Sequence, residues 1–226
     1  MTRGRSAASR GAGADRSTSE LPGGGSTGPG RAREIATGRA ESFSDGVFAV
    51  AVTLLVLDLG VHHVRPGGLA AALGREWPHY VTFVVSFLTV GIIWSNHHEM
   101  FERIARVDRP LVLLNLLLLL SVTVIPFTTG LLAGYLRGAD EHVAAAVYAA
   151  SFLLLSITFT ATNTWSARRR LWHAGISSEQ MSQQLGRASI GLLLYTAAVG
   201  LAFVNAIVSL VLCALSAVYY AFPSRV

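Results

Sequence analysis

Beyond residue 40 the chain alternates long apolar runs with short polar connectors, and this alternation is its dominant pattern. Six of the spans are each long enough to cross about 30 Å of hydrocarbon as a helix. They are predicted at residues 41–60, 79–101, 110–135 and 142–165, and twice more within the last run, 187–222. That run exceeds one crossing at ~1.5 Å per residue, so it divides near Asn205 into 187–203 and 205–222. Trp77-Pro78 ahead of the second span pairs an interfacial aromatic with a proline suited to a helix start. Asp108 precedes the third span, where Pro126 predicts a kink. The fold class that follows is an all-α integral membrane protein with six transmembrane helices.

Charge gives this layout a direction. Seven arginines lie in the chain up to Arg39; Arg103, Arg106 and Arg109 follow span two; Arg168, Arg169, Arg170 and Arg187 follow span four; Arg225 lies at the end. The opposite connectors hold only Arg65, Arg75 and Arg137. Cytoplasmic loops attract arginine, so both termini are predicted cytoplasmic, the span count even, and the chain multi-pass in the cell membrane. Residues 1–38, rich in Gly, Ser and Arg, contain no apolar core and read as a disordered cytoplasmic tail. Its arginines suit lipid headgroups, and no nucleic-acid partner is expected.

Composition agrees. Hydrophobic residues make up 52% of the chain, charged residues 14%, and the mean hydropathy is +0.49. The single cysteine, Cys213, excludes an intrachain disulfide and a thiolate zinc site. No Ser-His-Asp set, phosphate loop or pair of catalytic carboxylates is present, so neither an enzyme, a cofactor nor a bound metal is expected. His98-Glu99 begins an HExxH pattern, but residue 102 is Glu, and the zinc-protease reading fails.

Two polar clusters interrupt the apolar pattern. Phe43-Ser44-Asp45 lies just inside the first span, where uncompensated polar groups are costly. At ~100° per residue, Val50, Leu54 and Leu57 share one face with Thr53 beside it, while Ser44 and Asp45 point well away. The wheel alone leaves lipid, another helix or a pore as the neighbour of that stripe. Asp45 reads either as a structural lock with a partner on another helix or as an acid that attracts ions or handles protons. The second cluster, WSNHHEMFER, closes the second span, with Trp94, His97, His98 and Phe101 along one side. It is expected to satisfy Ser44 or Asp45 across helices. His62 and His63 read as solvated loop residues, Gly130 and Gly134 as a site of close helix contact, and the Thr53 hydroxyl as bonded back to Ala49.

The string Arg39, Phe43, Ser44, Asp45 followed by GVFAVAVTLLVLD resembles the first-helix signature of the transmembrane protein 175 family of potassium channels. Trp94, His97, His98 and Phe101 are similar to the family's second helix. The resemblance implies a bacterial member with one six-helix repeat over residues 39–226, assembled as a homotetramer, its partners being membrane lipid and permeant K+. It further implies a pore lined by the first helix, with a constriction of Val50, Leu54 and Leu57 and with Thr53 alongside. Family members commonly carry a bulkier residue where this chain has Val50. The rival reading is a proton leak or proton-coupled small-solute transporter using Asp45 and His97 or His98. Apart from Pro126, little suggests the broken helices common in carriers.

Overall fold

The computed structural model describes residues 29–60 and 66–222, with side chains from Thr37 onward. Residues 1–28 of the predicted tail, His62, His63, Arg65 and Arg225 lie outside the described residues. Seven helices follow in order: α1 (Pro29–Leu54), α2 (Leu69–Arg75), α3 (Trp77–Glu102), α4 (Arg109–Tyr135), α5 (Glu141–Arg168), α6 (Ser178–Ala202) and α7 (Ala206–Ala221). A 3-10 turn, Leu55–Asp58, prolongs α1. Among the described residues five helices are long and apolar enough to cross a membrane: α1 from Thr37 with its 3-10 extension, α3, α4, α5 and α6. The apolar α7 has 16 residues, or about 24 Å at ~1.5 Å per residue.

Two boundaries differ from the hydropathy pattern, for one reason: helix-forming polar sequence is invisible to a hydropathy window. The first helix starts at Pro29 rather than near 41, through REIATGRAES, which is rich in Ala, Glu and Arg. The fifth apolar helix starts at Ser178 rather than near 187, through SEQMSQQLGR. Its start is written as a capping box: the Gln180 amide donates to Ser177 Oγ at 3.1 Å, and the Ser177 amide donates to Gln180 Oε1 at 3.0 Å. The short α2 was not predicted at all. Asn205 does divide the last run, accepting the Val208 amide at 3.0 Å as the cap of α7. Helix α4 continues through Pro126 to Tyr135.

Half of the span window is buried within the chain for α4 and for α5, against 22% for α1, so α4 and α5 are the centre and α1 an edge. Apolar surface has no reason to leave lipid for another helix, and so close packing and interhelical hydrogen bonds hold such a bundle. Both are present. The buried Ser86 Oγ lies 2.8 Å from Thr129 Oγ1 and 3.0 Å from the Tyr148 hydroxyl, joining α3, α4 and α5. Thr128 and Ser151 meet at 3.1 Å between α4 and α5. Ala145, Ala149, Ala198, Ala202 and Ala206 are buried where α5, α6 and α7 approach closely, and Ser209 donates to the Ala198 carbonyl at 2.8 Å.

The arginine-rich connectors come together at one end. The Ala105 amide donates to the Leu171 carbonyl at 2.8 Å, and the His173 amide to the Arg103 carbonyl at 3.0 Å. Arg106 donates to the Arg170 carbonyl at 3.2 Å. Arg137 reaches the Arg75 carbonyl, 3.4 Å away, in a separate cluster. Asp108 organises the rich end: one oxygen accepts the Leu111 amide at 2.9 Å to cap α4, and both accept the Trp165 indole of α5 at 3.2 Å. Asp108→Ala is therefore expected to cost about 1–3 kcal/mol, a cap plus a charged hydrogen bond. Asp108→Asn, which keeps an acceptor oxygen, should lose less; heating in detergent followed by size-exclusion analysis measures the order.

Candidate ion pathway and its anchoring network

Helix α1 turns two chemically different faces to its surroundings. Ser44, Phe48, Ala51 and Leu55, spaced i, i+4, i+7 and i+11, are buried against α3 and α4. The other face is bare: Val50 is 57% exposed, Leu54 42% and Leu57 74%, with Thr53 also exposed. Those residues lie about 80–180° around the helix from the Ser44 stripe at ~100° per residue. The Thr53 hydroxyl donates to the Val50 carbonyl at 2.8 Å, not to Ala49. A β-branched threonine in a helix has two rotamers that reach either carbonyl, and this one reaches Val50.

The rotation of α1 is set by one turn of polar residues, Glu41, Ser44 and Asp45. Asp45 Oδ1 accepts the Trp94 indole N–H of α3 at 2.8 Å. His98 Nδ1, also on α3, donates to Glu41 Oε1 at 2.7 Å, and its Nε2 lies 3.5 Å from Glu102. Ser44 looks instead to α4, through a relay with a defined direction. Its hydroxyl donates to the Ala40 carbonyl at 2.8 Å, so its oxygen is left to accept from Asn115 Nδ2 at 3.0 Å. That orients the Asn115 amide with Oδ1 toward His97, and His97 Nε2–H donates to it at 2.9 Å.

Burial makes this relay consequential. His97 is fully buried, held between Phe48 at 5.3 Å and Phe101 at 4.6 Å between ring centroids. Its Nδ1 has no hydrogen-bond partner among the described residues, so Asn115 supplies its one bond. The two adjacent histidines thus serve different partners: His97 faces α4 and His98 faces α1.

Of the residues singled out in the sequence, the structure brings Ser44, Asp45, Trp94, His97, His98 and Phe101 together. Phe43, 57% exposed, and Arg39, also exposed, stay outside the network. Asn115 and Glu41 belong to it and were missed. Asn115 was visible in principle, as the one amide within LVLLNLLLLL. Gly130 does make a close contact, with the 3-10 extension of α1: the Asp58 carboxylate is 2.6 Å from where a Cβ would stand. Gly134 has open space there. Among the described residues no cluster of three or more His, Cys, Asp or Glu could hold a metal ion.

The fold and site define an all-helical membrane bundle whose edge helix is anchored from behind and bare in front. The family model described as the endosomal/lysosomal potassium channel TMEM175 matches residues 39–126. A potassium channel of Streptomyces collinus is 46% identical over 190 residues, covering 82% of this chain and 92% of that one. The crystal structure of a homolog of the lysosomal potassium-selective channel TMEM175 from Chamaesiphon minutus superposes with a TM-score of 0.76 at 38% identity, over 83% of this chain and 97% of that one. The endosomal/lysosomal proton channel TMEM175 of Bos taurus is 42% identical over 97 residues, 39% of this chain and 20% of that protein. The chain belongs to the TMEM175 family, whose members are ion channels and not enzymes.

Asn115→Leu removes the middle of the relay and strands both ring nitrogens of His97, each buried group costing about 1–3 kcal/mol when unpaired. Ser44→Ala leaves the Asn115–His97 bond intact and should cost less. Thermal unfolding in detergent tests the ranking; equal losses would show that Asn115 does not bridge the two.

Proposed function

We propose that this chain is one subunit of a potassium-permeable cation channel of the cell membrane. In this reading four copies assemble around an axis with α1 innermost. Val50, Leu54 and Leu57 form successive apolar rings, and Thr53 lies beside them. All six apolar helices cross the membrane, α7 with its apolar flanks as the sixth, and both termini are cytoplasmic. Residues 39–226 are the channel domain, and residues 1–38, the last ten of which already belong to α1, a segment that helps set orientation.

One observation carries the proposal: the least buried of the five helices long enough to cross a membrane is also the one whose rotation is fixed by three polar contacts on a single turn. A helix that merely met lipid needs no such anchoring, because one lipid-facing rotation is nearly as good as another. The names of the Streptomyces and Chamaesiphon relatives supply the ion. The arginine-rich end of the bundle supports the orientation.

Rings of this kind select without a cage of carbonyls. Apolar side chains cannot replace a hydration shell, and so they act through width and wetting. A narrow ring excludes water unless an ion carries some through it, and K+ sheds its water at lower cost than Na+. Val50 is the smallest of the three ring residues, which places the tightest point at Leu54 or Leu57. The anchoring residues, Ser44, Asp45, Trp94 and His97, keep those side chains aimed at the axis.

Leu54→Ala is expected to lower K+/Na+ discrimination, seen as a shift of the bi-ionic reversal potential toward zero; no shift removes Leu54 from the lining. Asp45→Ala should abolish assembly or leave the pore abnormally open, whereas Asp45→Asn, which still accepts the Trp94 indole bond, should conduct. Wild-type current in Asp45→Ala defeats the anchoring role. The Bos taurus relative's name favours a second reading, proton conduction using Asp45 and His97 or His98. Liposomes holding the purified chain discriminate: K+ flux without dissipation of a pH gradient supports the first reading, and the reverse supports the second.

A further inference from the structure

Away from α1, a cavity of about 510 Å³ opens between α3, α5, α6 and α7. Its polarity is graded along its length. The rim near the arginine-rich end carries Asn96, Glu99, Gln184 and Arg187, and the deep wall carries Phe87 and Leu155. From Glu99 to Phe87 along α3 is about 18 Å at ~1.5 Å per residue, close to half of the ~30 Å hydrocarbon thickness. The slot therefore reaches from one membrane interface to about the midplane, the depth of a single leaflet.

Among the described residues the rim carries one arginine without an ion-pair partner. Glu99, the one carboxylate lining the slot, is 3.4 Å from Arg103, which also donates to Gln184 at 2.6 Å. Arg187 has no ion pair among the described residues. It is held in place instead by a 2.8 Å bond to the Phe222 carbonyl and by the Tyr219 and Tyr220 rings, 5.5 and 5.9 Å away. The Tyr220 hydroxyl donates to the Arg187 carbonyl at 2.6 Å, in the space left by Gly191, where a Cβ would stand 2.6 Å from that oxygen. On the far wall Gly91 lines the slot with nothing within 4 Å of its absent Cβ. So the guanidinium is fixed at the mouth while the space behind it stays open.

We propose that this slot is a binding site for an anionic phospholipid of the cytoplasmic leaflet, its phosphate at Arg187 and one acyl chain along the slot toward Phe87 and Leu155. Charge, depth and graded polarity select that occupant, since a basic pocket between membrane helices on the cytoplasmic side suits an anionic headgroup. The inference rests on the orientation of the bundle in the membrane and not on the pore.

The full chain, purified in detergent and stripped of lipid, is incubated with dioleoyl phosphatidylglycerol or dioleoyl phosphatidylcholine, and retained lipid is counted by native mass spectrometry. Wild type should retain phosphatidylglycerol about five-fold better, the factor that ~1 kcal/mol per basic residue near an anionic surface represents. Arg187→Gln should abolish that preference. Gly91→Leu should lower retention of both lipids with the oligomer mass unchanged. Equal retention of the two lipids by wild type, or an undiminished preference in Arg187→Gln, overturns the proposal. So does loss of the oligomer in Gly91→Leu with lipid retention unaltered, which assigns the slot to a neighbouring subunit. None of these readouts involves ion flux, and their failure leaves the conduction proposal standing.

Discussion

A polar group inside hydrocarbon has to find a partner within the protein, because no water is there to serve it. That single constraint explains the placement of α1. Glu41, Ser44 and Asp45 lie on one turn, and each is satisfied by a different side chain: His98 and Trp94 from α3, Asn115 from α4. Rotating α1 by one residue, about 100°, would break all three bonds together. An apolar interface of Phe48, Ala51 and Leu55 could not impose this by itself, since apolar contacts are exchangeable with lipid at little cost. The polar turn supplies the direction, and the apolar residues fill in behind it.

The same logic recurs deeper in the bundle with weaker groups. Hydroxyls of Ser86, Thr129 and Tyr148 meet at the junction of α3, α4 and α5, and alanines allow α5, α6 and α7 to approach closely. These contacts make a rigid block of the helices behind α1. Rigidity there matters to the front face, because the positions of Val50, Leu54 and Leu57 are inherited from α3 and α4 through the anchoring turn. The relay from His97 through Asn115 to Ser44 is the longest such link, and its direction follows from which groups can donate.

The two proposals place their work on different faces of the protein. In the proposed channel the exposed apolar stripe of α1 serves an axis shared with other copies, whereas in the proposed lipid site the slot between α3 and the α5–α7 group faces the membrane with Arg187 at its mouth. Helix α3 belongs to both, holding α1 through Trp94 and His98 on one side and lining the slot with Gly91 and Asn96 on the other. It is thus the element through which an occupant of the slot and the setting of α1 are physically adjacent.

How much of this was legible in the sequence depends on the range of the interaction. The five long apolar helices, the Asn205 division and the candidate polar clusters follow from local composition, because hydropathy and helix length are properties of a short window. Polar helix extensions at Pro29 and Ser178 escaped that window. The chain's identity could be read from Phe43-Ser44-Asp45 and the Trp94–Phe101 string as a resemblance, since a motif is also local. Partner choice was not local. Ser44 and Asn115 are 71 positions apart, Asp45 and Trp94 are 49 apart, and two residues so far separated meet only when helix packing brings them within 3 Å. The sequence by itself determined which groups would need partners; tertiary structure alone decided who those partners are, because hydrogen bonds are made across space at fixed distance and angle, and neither is written in order along the chain.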